Sequence, residues 1–501
     1  MIKYLKKRPL LIAAVCCVIV AICAFYSSYL LLLCVGLAIM VLFFAVLYKN
    51  TSLVVSALLV IISAFSGFLT LAHIDELNKY NSSTLSAKVV VMERTFENEE
   101  IYCSTVEILD CKELKKGSRI SLWHKPEKAQ MGDIYYTEFV VNKTLDYNKA
   151  SQYSNGIYIS ANAGRFETLY QKDFVLSKVC GVRTYIKNTL FQNTKYSSAS
   201  TLCALIMGER KYFSDEFYGN VKGAGVAHVM VVSGMHLSIL VAMWIEFSES
   251  FIKNSKLKSV LTLFIVIALW SVCGFTVSIL RAGITYIIMA LGLWADKPYS
   301  GENALSTAVI LVVIFSPFTI FNVAFQLSVL STFGILCVAL PICRYVKARK
   351  IITGKLKLYI FQSFVITFSA VVLTLPVVIN IFGYVSLMSA FTNLLIDHAV
   401  TGTIIITVTA LLLNLVFPFG AKMLFVWADV LTSFVNDVIN FIGSQEYAII
   451  KVPKEFTFVA IGVIIGLFWI LLTCKSLIDM LKLREMNIKI KNERGKVKKW
   501  R

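Results

Sequence analysis

Long apolar runs separated by short polar breaks fill most of the chain, and one block of about a hundred residues departs from that pattern. Runs at 9–27, 29–48 and 52–72 each hold about the 20 residues needed to cross a bilayer. Nine more follow at 225–247, 259–276, 279–295, 303–318, 322–343, 359–380, 398–416, 421–442 and 455–474. The piece "SLMSAFTNLLI" at 386–396 is too short to span and runs straight into Asp397 and His398, which predicts a re-entrant half-helix. From 76 to 172 the period changes to strict alternation ("SAKVVVMERTF", "SRISLW", "IYYTEFVVNKT") between turn-prone stretches such as "KKG" and "YSNG". That pattern predicts a small β domain of about five strands, with an OB-type barrel or a sandwich fragment as the two shapes that fit. Residues 173–224 place apolar positions at helical spacing broken by charges and glycines, the pattern of amphipathic helices lying at the interface.

Composition agrees with a membrane protein and excludes a large soluble core as the main architecture: 57% of residues are hydrophobic, 16% are charged, and mean hydropathy is +0.73. The net charge of +19 matters only once it is located. Basic residues cluster at Lys3–Arg8, at Lys253, Lys256 and Lys258, between Arg344 and Lys357, and from Lys475 onward. If all four clusters are cytoplasmic, the spans between them come in even numbers, giving twelve crossings and an extracytoplasmic β domain. That domain carries 13 basic and 13 acidic side chains, so it is no general polyanion trap. The expected fold class is therefore a polytopic α-helical membrane protein of about twelve spans plus a re-entrant piece, with an inserted extracytoplasmic β domain. Its expected parts are a three-span region at 1–75, beginning as a retained signal-anchor hairpin, the β domain at 76–172, interfacial helices at 173–224, a membrane region at 225–474 and a basic cytoplasmic tail at 475–501.

Most of the twelve cysteines sit in apolar runs and behave as small hydrophobes; Cys103 and Cys111 are the pair in the β domain that an oxidising compartment could bridge. No zinc spacing or HExxH motif occurs, and no metal or cofactor is expected. Candidate chemistry concentrates in "GAGVAHVMVVSGMHLSILVAMW", residues 223–244. His228 and His236 lie eight residues apart, about 80° around an ideal helix, and so share a face. Together with Ser233 and Gly234 they suit either a wet lumen or a polar contact inside a bundle. Ser233 with His236 also allows an intramembrane nucleophile, although no carboxylate lies nearby to orient the ring. Arg281 sits near the outer start of its run, where its fork either snorkels to the interface or holds a phosphate. Gln326 and Ser328 bring hydrogen-bonding groups to the same level of the next run but one.

Taken in order, "GVAHVMVVSGMHLSIL", "SILRAGITYIIMAL", "NALSTAVILVVIFSPFTIFNVAFQLSVLSTFGIL" and "LPVVINIFGYVSLMSAFTNLL" resemble the competence domain of the ComEC family, the membrane channel for DNA uptake in natural transformation. His228, Ser233, Gly234 and His236 match the family's HLLAISGLH-like motif, and Arg281 with Ala282 match its RA pair. Phe325, Gln326, Leu327 and Ser328 match its FQLS element, with Pro317 at an earlier proline. Pro376, Phe382, Gly383, Ser386 and Asn393 match later positions. The resemblance extends over about 52–475 and implies an OB-like domain that receives a single DNA strand, a polar lumen in a bacterial plasma membrane, and no catalysis by this chain. It implies as partners single-stranded DNA, the lipid bilayer, a cytoplasmic ATP-driven translocase, an outer DNA receptor and a separate nuclease, because the metallo-β-lactamase-like domain of many members, with its HxHxDH motif, finds no match here. "NLLIDHAV" departs from the family at Asp397 and His398. A small-solute permease on the same spans is the alternative reading.

Overall fold

The apolar runs become helices packed by small residues, and the alternating block becomes a barrel seated on one end of them. The computed structural model describes residues 9–47, 51–97, 102–124, 130–143, 146–230, 232–274, 276–294 and 300–464; the basic residues before 9 and the tail from 475 lie outside them. Helices α1 (Pro9–Tyr26), α2 (Ser28–Leu47) and α3 (Thr51–Asn78) form the first group, α3 continuing past the expected boundary at 75. Ala13, Ala14, Cys17 and Ala21 make one face of α1 nearly flat, which lets it pack closely on Val309, Ile310 and Val313 of a later helix.

Strands β1 (Thr84–Glu97), β2 (Tyr102–Asp110), β3 (Arg119–His124), β4 (Asp133–Lys143) and β5 (Ile157–Lys172) close into a barrel in the order β1-β2-β3-β5-β4. Every pairing is antiparallel except β3 with β5. Alternate residues turn inward, so Val89, Val91, Val106, Ile108, Ile120, Leu122, Phe139 and Ile159 fill the interior. A short helix, α4 (Asp146–Ser154), joins β4 to β5 and carries the contact with the bundle. Its Tyr153 stacks on Phe318, with ring centroids 5.9 Å apart, and Asn155 just beyond it accepts from Asn322 at 3.0 Å.

Cys103 and Cys111 are not joined by a disulfide, and Cys103 Sγ lies 3.1 Å from Ser121 Oγ. Eight residues of nearly continuous β2 put them roughly 26 Å apart, far beyond the reach of a disulfide of about 7 Å. The expected bridge is therefore excluded by strand geometry. Burial also pushes the Cys111 thiol above its ordinary value, and the neighbouring Glu113 side chain adds to this against its backbone contacts.

Helices α5 (Phe174–Asn193), α6 (Tyr196–Met207) and α7 (Asp215–Gly223) replace the expected interfacial segment. Helix α6 does not lie on a surface: every residue from Ser198 to Met207 is buried. Its small side chains let neighbours close on all sides, and Thr201 donates to Asn436 at 2.9 Å. Next come α8 (Gly234–Glu249), α9 (Ser255–Val272), α10 (Val277–Trp294), α11 (Gly301–Phe315), a 3₁₀ turn at Pro317–Phe321, and α12 (Val323–Ala348), which contains a π turn at Ile335–Ala339. The last described long helices are α13 (Lys355–Phe382), α14 (Ser389–Asn414) and α15 (Pro418–Gly443). Strands β6 (Tyr384–Ser386) and β7 (Ile449–Lys451) tie their ends in a two-stranded sheet.

Among the described residues, six helices are long and apolar enough to cross a membrane: α1, α3, α12, α13, α14 and α15. Several of the other expected spans are shorter helices, α8 with 16 residues and α11 with 15. The run at 455–474 is described only to 464, as a helix from 456. The re-entrant half-helix at 386–396 is not formed. Helix α14 passes unbroken through Asp397 and His398, because Ile396 and Val400 on either side are buried in the core and the His398 ring finds the Tyr359 hydroxyl.

Helices α7 and α15 meet backbone to backbone. A Cβ on Gly443 would stand 2.0 Å from the Asn220 carbonyl oxygen, and one on Gly223 2.3 Å from the Gly443 oxygen. Alanine is ordinarily the better helix former by up to about 1 kcal/mol, but a backbone neighbour cannot swing aside. Gly443→Ala is expected to cost about 1–3 kcal/mol and lower the thermal midpoint of the purified protein; an unchanged or raised midpoint would disprove the contact. Electrophoresis with and without reductant is expected to give one mobility, since no bridge joins Cys103 to Cys111.

Candidate polar path at the barrel end of the bundle

The sequence expects residues 225–247 to form one span, yet helix α8 starts only at Gly234. Residues 224–230 and 232–233 are turns and irregular backbone, held between the end of α7 and the start of α8. Val226, Val229 and Met230 of this stretch pack against Leu205, Ile396, Ile404 and Ile439. Its carbonyls are met by side chains: Ser386 donates to Gly223 O at 2.7 Å and Ser389 to Gly225 O at 3.0 Å. The close fit needs glycine at 225, whose φ is +72° and where a Cβ would lie 2.6 Å from both serines. Irregular backbone at membrane depth is tolerated where protein encloses it or where it lines a wet cavity. His228 of this stretch is exposed, between buried Val226 and buried Val229.

Three helices begin side by side where this stretch ends. Ser233 caps α8, and its backbone N–H donates to His236 Nδ1 at 3.1 Å, so the ring closes back on the helix start as a capping-box side chain does. The ring nitrogen nearest Ser233 thus takes a backbone proton rather than the serine hydroxyl. From the first turn of α10, Arg281 donates through Nε to Ser328 Oγ of α12 at 2.8 Å, and Ser278 donates to the same oxygen at 3.2 Å. The guanidinium lies flat against α8: a Cβ on Gly234 would be 2.8 Å from Arg281 Nη2. Ser233, Gly234, His236, Arg281 and Ser328 are thus brought together at one place.

Gln326 belongs to the same end but bonds elsewhere, donating to Ile320 O at 2.8 Å and fixing the 3₁₀ turn. Asn393 lies on α14, buried, with its Oδ1 unpartnered. His236 Nε2 is likewise buried without a partner. Each such atom costs about 1–3 kcal/mol unless water or a ligand meets it. Thr403 and Thr407 continue the line of unsatisfied hydroxyls along α14 and were not singled out from the sequence; the polar positions at intervals of ten and four were the available signal.

Electrostatics favour an anion here. The N-termini of α8, α10 and α12 present their partly positive ends together, and Arg281 adds a permanent charge among them. Among the described residues no group of His, Cys, Asp and Glu could hold a metal ion.

A second ionic group, unmarked by any motif, sits between the barrel and the bundle. Gly208 ends α6 in the left-handed region, φ +78°, and turns Glu209 toward α5. Glu209 accepts from Arg183 at 2.6 Å and pairs with Lys211 at 3.3 Å, while Arg183 also donates to Val272 O at 2.9 Å. Burial alone would raise the Glu209 carboxyl; the hydrogen bond and charge of Arg183, with Lys211, outweigh it and hold it below its ordinary value. Glu93 of β1, exposed along its side chain, faces the same pair: the protein crowded around its carboxyl raises it, Arg183 opposes that and Glu209 adds to it.

These features define a polytopic helical membrane protein with a closed β-barrel inserted after its third helix and a cationic polar cluster beneath the barrel. A family model described as Competence protein matches residues 205–476, more than half of the chain, and the chain belongs to that family. ComE operon protein 3 of Bacillus subtilis (strain 168) is 25% identical over 305 residues, which is 60% of this chain and 38% of that protein's length. No solved structure matches.

The two carboxylates predict opposite pH effects. Glu209, depressed in the fold, contributes stability above its unfolded value that is lost as pH falls through the lower folded value. Glu209→Gln is expected to lower the thermal midpoint at neutral pH and flatten the acid-side loss. Glu93, raised in the fold, weakens the protein as pH rises through the carboxylate range, so Glu93→Gln is expected to raise the neutral midpoint. Midpoints measured between about pH 3 and pH 7 decide both signs.

Proposed function

We propose that this chain forms the path by which single-stranded DNA crosses a bacterial plasma membrane during competence, with the barrel on the extracytoplasmic side. The observation that carries the reading is the cluster of Arg281, Ser328 and three helix N-termini beside His236, whose buried Nε2 has no partner. A phosphodiester backbone is the repeating anion that such a site suits, since each phosphate can exchange one set of donors for the next. The unwound stretch between α7 and α8 supplies accessible His228 and a non-helical wall where a hydrated strand would enter.

We read the barrel as OB-type. Its order β1-β2-β3-β5-β4, with the single parallel pair β3–β5, suits that assignment. Trp123 on β3 and Tyr136 on β4 remain partly exposed and offer faces for bases, while the balanced charge of the domain leaves phosphate attraction to the bundle beneath it. The chain acts as a conduit and not as an enzyme in this reading; the driving translocase, the outer receptor and the nuclease are separate partners. Membership of the competence family supports the choice over a small-solute permease.

The test is uptake of labelled DNA by a deletion strain complemented with this chain, with membrane abundance measured alongside. Arg281→Ala is expected to reduce uptake by about tenfold to a hundredfold, the worth of one lost charge-assisted hydrogen bond. His236→Ala and removal of the barrel are expected to reduce it as well. Full uptake in Arg281→Ala and His236→Ala at normal abundance overturns the assignment of these residues to the path.

A further inference from the structure

The opposite half of α8, α9 and α10 encloses a second site, a cavity of about 200 Å³ whose lining includes Ile245, Lys258, Ser259, Thr262, Tyr286 and Ala290. Its walls are mainly hydrocarbon, and a single cation stands among them. The Lys258 side chain is only 21% exposed, and its partner in the structure is Glu249 Oε1 at the limiting distance of 4.0 Å, itself 65% exposed. A half-sequestered ammonium with so loose a counter-ion gains by meeting a second anion. Thr262 is already committed, donating to Lys258 O at 2.8 Å and accepting from Trp244 Nε1 at 3.2 Å, which fixes the wall beneath the lysine.

The surroundings identify the kind of anion. Leu257, Phe264, Ile267, Ile287 and Leu291 on the flanks of α9 and α10 are all exposed, so the cavity opens among side chains suited to acyl chains. Lys258 stands at the end nearest the α8–α9 connection, where Lys253 and Lys256 add charge. A soluble anion matches only the lysine, and a neutral lipid only the walls. We propose that this cavity is a binding site for an anionic phospholipid, with an acyl chain in the slot and the headgroup phosphate at Lys258. The site is separate from the polar cluster and stands whether or not that cluster carries DNA.

The experiment uses the full chain in bilayer discs containing spin-labelled phosphatidylglycerol or phosphatidylcholine, and reads the motionally restricted fraction of each label. The native protein is expected to prefer phosphatidylglycerol by about fivefold, as one lysine near the surface provides. Lys258→Gln is expected to bring that preference down to that of phosphatidylcholine, Lys258→Arg to keep it, and exposed Lys256→Gln to leave most of it. Equal restriction of both lipids by native protein overturns the proposal, as does an unchanged preference in Lys258→Gln. Displacement of the label by inorganic phosphate at millimolar concentration also overturns it, because the site would then take a free anion.

Discussion

Backbone groups that leave a helix inside a membrane must find partners, and described residues between α7 and α8 find them in the rest of the competence region, which is arranged around them. Ser386 and Ser389 answer the carbonyls of Gly223 and Gly225, which brings the start of α14 against the end of α7. Val226, Val229 and Met230 then become part of a core shared with α6, α14 and α15. The helical break costs the fold its regularity there, and the gain is a place where α8 can begin within the bundle, with Arg281 and Ser328 beside its first turn.

The barrel and the bundle meet through two different kinds of interaction on one end of the molecule. Tyr153 against Phe318 is an aromatic seat, whereas Arg183, held within the bundle by the Glu209 carboxylate and the Val272 carbonyl, acts on the barrel through its charge. Glu93 faces that arginine from β1. The barrel is thus seated on the bundle by aromatic rings, with an ionic group of the bundle facing its first strand.

Much of this architecture was legible in the sequence, and the failures follow from identifiable physics. Alternation and turn residues located the first four strands and the approximate number of strands in all, but not the span of β5, and long apolar runs located the N-terminal helices and α12 to α15. The polar residues His236, Arg281 and Ser328 were found from their apolar surroundings, since a polar group there must have a use. Helix α6 was misread as interfacial because serine and threonine look polar in a sequence, although in a tight bundle their small size decides where they go. Asp397 and His398 looked like a break because charge is costly in hydrocarbon; the partner that makes the histidine tolerable, Tyr359, lies 39 residues away and carries no local signal. Arg183 and Glu209 were missed for the same reason, being 26 residues apart and joined only by the turn at Gly208.

Closure of the barrel limits who can join it. Each of the five strands has a neighbour on both sides, and β5 lying parallel to β3 completes the ring. Among the described residues β3 covers β5 only over Ile157–Asn162, and residues 163–172 pair on the β4 side alone, so that half of β5 is where an incoming segment could extend the sheet. Elsewhere on this domain a partner meets only side chains of the outer wall and the loops, a surface that variation can alter without disturbing the ring of hydrogen bonds beneath.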